Sequence, residues 1–104
     1  MNTMTKLTPE ETATTLKTMR GMKFWGKEAG RFKITRELLG KLTGRRFIKE
    51  EFIGAVVEAG VDLGISIIDI GDAFAVLETH ILEGFRTVPP AVVGGLLLKS
   101  KNKP

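Results

Sequence analysis

His80 is the only histidine in this 104-residue sequence, and there is no cysteine, so few residues could do acid–base, nucleophilic or metal chemistry. A general acid or base at His80 needs a positioned partner, which Glu78 or Glu83 would have to supply locally. A single histidine on a short amphipathic stretch reads more simply as a surface or packing residue. A metal site would need His80 plus carboxylates, without any ligand-spacing motif. Asp62, Asp69 and Asp72 fall at turns and segment ends, where carboxylates serve local hydrogen bonding. Ser66 and Ser100 are the only serines, and neither sits in a nucleophile elbow. Gly21, Gly26 and Gly30 fit neither the dinucleotide nor the Walker spacing. The sequence argues against an enzyme, and no metal or cofactor is expected.

Charge is the stronger signal. Residues 1–46 carry eleven Lys/Arg against four Asp/Glu, residues 47–85 carry one against eight, and residues 86–104 carry four basic residues and no acid. The net charge is only +4, so the distribution says more than the total. Folded apart, these blocks give a one-sided field; folded together, they neutralise one another. Phe24 and Trp25 lie among Lys23, Lys27 and Arg31. That pattern suits either stacking on single-stranded bases or plugging the core beneath a helix.

These residues must be positioned by a small scaffold. Thr8-Pro9-Glu10-Glu11 reads as a capping box with proline at the first helical position, predicting a helix over 9–20. Residues 21–30 read as a loop, and Phe32 and Ile34 alternate with Arg31 and Lys33 as a short strand. Thr35 caps a second helix that Gly44 ends, with Ile34 and Leu39 stapled across the cap. Ile48, Phe52, Ala55, Val56 and Ala59 predict a third helix over 47–59, closed by Gly60. Residues 65–79 read as a hairpin turning at Gly71-Asp72. The competing reading of 73–86 is a helix capped by Asp72. A last short helix over 79–86 is expected, ended by Pro89-Pro90. In the apolar run 91–98, adjacent Gly94 and Gly95 argue against a stable helix. That run could act as a weak membrane anchor, add a strand to a dimer partner or pack across its own core.

Composition is consistent with one domain. With 42% hydrophobic and 27% charged residues the chain is globular, and its length suits a single core. The expected divisions are an N-terminal tail over 1–8, a domain over 9–86 and an extension over 87–104, frayed at its end. No apolar run reaches the length of a membrane span, and no signal-peptide stretch opens the chain. A cytoplasmic protein is the default expectation.

The order helix, short strand, helix, tight turn, helix, hairpin resembles the winged helix-turn-helix superfamily over residues 9–79, chiefly through Ile34 to Arg46 and then Phe47 to Gly60. The resemblance implies an α+β fold of three helices with residues 65–79 as wing. It also implies duplex DNA as partner, in transcriptional or replication regulation, with Arg45, Arg46 and Lys49 at the reading end of the third helix. Arg31, Lys33, Arg36 and Lys41 would then hold phosphates from flanking elements. A homodimer fits the same habit. Glu50, Glu51 and Glu58 on the third helix, with Asp69 and Asp72 at the hairpin tip, instead suit a protein–protein adaptor for a basic partner.

Overall fold

A computed structural model describes residues 6–24, 26–28 and 30–101. The chain is α+β: α1 (Pro9–Met19), β1 (Lys23–Phe24), β2 (Lys27–Glu28), β3 (Phe32–Thr35), α2 (Arg36–Thr43), α3 (Glu50–Asp62), β4 (Ile65–Asp69), β5 (Ala73–Glu78), α4 (Thr79–Glu83) and α5 (Pro90–Lys101). There are thus five helices among the described residues, not three.

The expected capping box starts α1. The Thr8 hydroxyl accepts from the Glu11 N–H at 3.1 Å, and the Glu11 carboxylate accepts from the Thr8 N–H at 2.9 Å. Residues 21–30 are not all loop, because β1 and β2 pair antiparallel around Gly26, whose φ is +83°. Phe24 packs edge-on against Phe32, with ring centroids 5.6 Å apart, which favours the plug reading. Trp25 lies outside the described residues.

Thr35 ends β3 and also caps α2, accepting from the Leu38 N–H at 3.1 Å. At the other end Gly44 takes φ +77°. The Arg45 N–H reaches the Gly40 carbonyl at 2.8 Å and the Gly44 N–H reaches that of Lys41 at 3.3 Å, a Schellman closure. This closure brings the Arg45 carbonyl so near that a Cβ on Gly40 would lie 2.8 Å from it. Gly40 therefore lets the chain turn sharply out of α2.

The third helix begins three residues later than expected and runs past Gly60 to Asp62. Gly60 is a packing residue, not a stop: a Cβ there would meet Ile67 Cδ1 at 3.0 Å and Ile65 at 3.3 Å. The deepest face of α3 is accordingly Ile53, Val56 and Gly60, while Phe52, Ala55 and Ala59 are half-buried. That face joins Ala13 and Leu16 of α1 to Ile65 and Ile67 of β4.

The hairpin forms where expected. Ile70 N–H donates to the Ala73 carbonyl at 2.9 Å across Gly71-Asp72, and Gly71 has φ +106°. The rival helix over 73–86 is not formed: β5 is the central strand of an antiparallel sheet ordered β3-β5-β4. Ala73, Phe74 and Val76 are all buried. With both of its edges paired and adjacent residues buried, β5 lacks clean alternation, which is why its sequence also suited a helix. Residues 79–83 form the expected short helix, α4, with His80 exposed.

The largest departure is α5. Pro90 occupies the first helical position, and Leu96, Leu97 and Leu98 are strong helix formers. These offset Gly94 and Gly95, so the run 91–98 is helical, and every residue from Pro90 to Ser100 is exposed. At the opposite end, the Leu7 N–H bonds the Thr43 carbonyl at 3.1 Å, which ties the segment before α1 to the end of α2.

Candidate nucleic-acid interface

The seven cations singled out in the sequence divide into distinct settings. Arg36 is turned inward on the hairpin. Its Nη2 grips both Asp69 oxygens at 2.8 and 2.9 Å, its Nε donates to the Gly71 carbonyl at 3.0 Å, and its guanidinium lies 4.7 Å over Phe74. The Gly71 N–H also donates to Asp69 at 2.9 Å. That backbone bond, followed by the Arg36 contacts, holds the Asp69 carboxyl below its ordinary value. Asp69, at the end of β4, thus fastens α2 to the hairpin.

Arg45 is also committed to the fold. Its Nη1 donates to the Leu7 carbonyl at 2.6 Å and to that of Thr43 at 3.3 Å, and its guanidinium stacks 3.8 Å over the Phe52 ring. One side chain therefore joins the segment before α1, the end of α2 and the first turn of α3. Neither Arg45 nor Arg46 lies on the third helix. Both sit in the connector 44–49, because the Schellman closure delays α3 to Glu50.

That connector shapes an open cleft of about 510 Å³, lined by Lys6, Arg45, Arg46, Phe47, Lys49, Glu51 and Phe52. Lys6, Arg46 and Lys49 are exposed, and Phe47 is 78% exposed. The cleft holds four cations against one carboxylate. Lys6 and Phe47 join the cleft although nothing in the sequence marks them as site residues. Lys6 had no signal at all, and Phe47 was absorbed into the third helix although it falls off the apolar stripe.

The remaining cations lie elsewhere. Lys33 borders an apolar groove of about 290 Å³ with Met19, Met22, Phe24, Phe32, Ile34 and Leu38. Arg31 lines a smaller depression with Arg20, Gly30, Glu78 and Ile81, where Arg20 pairs with Glu78 at 2.9 Å. Lys41 is exposed on α2. The structure thus brings together Arg45, Arg46 and Lys49, and leaves Arg31, Lys33, Arg36 and Lys41 apart from them.

The outward face of α3 is different in sign. Glu50, Glu51, Glu58 and Asp62 are all exposed, with Gly54 between them. Glu50 and Glu51 stand in the first turn, where carboxylates complement the helix dipole. Lys49 occupies the N-cap, makes no capping side-chain bond and opposes that dipole. Its presence is unfavourable for helix stability taken alone. Among the described residues, no three His, Asp or Glu side chains gather as a metal site would require. No family model matches the chain, nor does any curated protein or solved structure.

Proposed function

We propose that the protein binds duplex DNA through the basic cleft at the turn between α2 and α3, without catalysing a reaction. The observation that carries this reading is the convergence of Lys6, Arg46 and Lys49 around exposed Phe47. Three free cations can take successive phosphates, while an arginine can also reach a guanine edge. Phe47 offers apolar contact to a base edge, such as a thymine methyl. Lys49 gains a reason for its place at the N-cap, where folding alone disfavours it.

The topology supports a winged helix-turn-helix reading of the same site. Helix, strand, helix, turn, helix and hairpin follow one another, and β3 pairs with the second hairpin strand. In that fold the α2–α3 turn and the start of α3 approach the duplex. Transcriptional or replication regulation is the role we assign to such binding, in the cytoplasm, with a homodimer as the working form.

A labelled random duplex, titrated by fluorescence anisotropy over a range of salt, tests this. Arg46→Ala with Lys49→Ala should weaken binding and lower the salt slope by about one unit per lost phosphate contact. Unchanged affinity and slope would refute it. One observation favours a second reading: the exposed acidic face of α3 suits a basic protein partner. In that case Glu50→Gln and Glu51→Gln would abolish partner binding, whereas under DNA binding they should tighten it.

A further inference from the structure

The β4–β5 hairpin, α1 and α3 each bury a face, but α5 does not. From Pro90 to Ser100 each residue is exposed, including Val92, Val93, Leu96, Leu97 and Leu98 at 48–64%. At about 100° per residue Val92, Leu96, Val93 and Leu97 cover an arc of roughly 140°, and Ala91 and Leu98 carry the apolar surface round to the opposite side. A helix that is apolar all round requires surroundings that cover it all round. A second helix from another copy covers only a seam and would leave half of this surface in water.

Length and charge specify the surroundings. The eight apolar residues 91–98 span about 12 Å of α-helix, which fits within one leaflet, half of a hydrocarbon layer of about 30 Å. No helix among the described residues is long and apolar enough to cross a membrane, so α5 can enter one leaflet only. Arg86, Lys99, Lys101 and Lys103 flank the apolar run, and residues 86–104 contain no acid. Lysines directly after the apolar segment can keep their ammonium groups among headgroups while the stem stays in the acyl region.

We propose that α5 is a peripheral membrane anchor that dips into one leaflet of a bilayer bearing anionic headgroups. Pro89-Pro90 sets it off from the folded body, and no residue of α5 lines the basic cleft. Binding is reversible, since a short apolar helix and a basic cluster are two modest signals acting together.

The full chain is tested by flotation with vesicles of phosphatidylcholine alone and of phosphatidylcholine with about one-third phosphatidylserine. The anionic vesicles should bind at least about tenfold better, since each basic residue near such a surface changes partition by roughly fivefold. Leu97→Trp, made together with Trp25→Phe, should show a blue-shifted emission with those vesicles. Leu96→Asp with Leu97→Asp should abolish flotation, and Lys99→Glu with Lys101→Glu should remove the preference for phosphatidylserine. Arg46→Ala with Lys49→Ala should leave flotation unchanged. Since α5 adds nothing to the buried core, circular dichroism of each variant should match the parent. No flotation, flotation that survives the two aspartates, or flotation lost with Arg46 and Lys49 would each overturn the proposal. A dimer in sedimentation that the aspartates dissociate, with no vesicle binding, would assign α5 to self-association instead.

Discussion

Replacing Arg45 by alanine should destabilise the protein, although sequence position alone made this residue a DNA reader. The side chain gives up two hydrogen bonds to carbonyls, at 2.6 and 3.3 Å, and a stacking contact at 3.8 Å over Phe52. A hydrogen bond from a charged donor contributes about 1.5–3 kcal/mol and a cation–π contact about 0.5–2 kcal/mol. Arg45 is only half-buried, the 3.3 Å bond is long, and contacts sharing one side chain do not add. A net loss of about 2–3 kcal/mol follows, enough to lower the Tm of a domain this size by roughly 10 °C. Arg46→Ala, at an exposed position outside the Arg20–Glu78 and Arg36–Asp69 ion pairs, should change stability by no more than about 0.5 kcal/mol. Arg45→Lys should not restore stability, because an ammonium cannot stack on Phe52 while reaching two carbonyls. Urea and thermal unfolding of the three variants decide the matter. If Arg45→Ala melts within about 2 °C of the parent, the clamp across Leu7, Thr43 and Phe52 is not a stabilising element and the reasoning fails.

Gly40→Ala should cost about 1–3 kcal/mol in the same assay, since its Cβ would press on the rigid Arg45 carbonyl at 2.8 Å. Gly60→Ala should cost less, because its nearest neighbour, at 3.0 Å, is the movable end of Ile67 and not backbone; the reverse order would contradict the packing. The folded Asp69 carboxyl titrates below its ordinary value near 3.8, so its contribution is complete above that value and is lost as pH falls through the depressed one. Asp69→Asn should therefore flatten the acid limb of a stability-against-pH curve, and an unchanged limb would show that the Arg36 and Gly71 contacts matter little. Phe47→Ala should leave Tm unchanged but weaken duplex binding, whereas a large loss of stability would return Phe47 to the core.

Much of the scaffold was legible in the sequence because it is locally encoded. The capping box at Thr8, the Thr35 cap, Gly44 and the Gly71-Asp72 turn all act within a few residues, and each forms as expected. What was hidden depends on contacts made across the chain. Gly60 looks like a helix stop until β4 lies against it. Arg36 and Arg45 look like surface cations until Asp69, Phe74, Leu7 and Phe52 are brought to them. The composition of the cleft was partly readable through Arg45, Arg46 and Lys49. Lys6 joins them only because the segment before α1 pairs with the end of α2. In α5 the proline start and the leucine run outweigh the two glycines, a balance that glycine propensity alone does not reveal.

The site itself is tested most directly by titrating isotope-labelled protein with a short duplex and following every backbone amide. Binding at the proposed cleft predicts that Lys6, Arg46, Phe47 and Lys49 shift first and furthest, with smaller changes at the start of α3. Shifts confined to Glu58 and Asp62 on the acidic face, or none at all at millimolar duplex, would contradict the account.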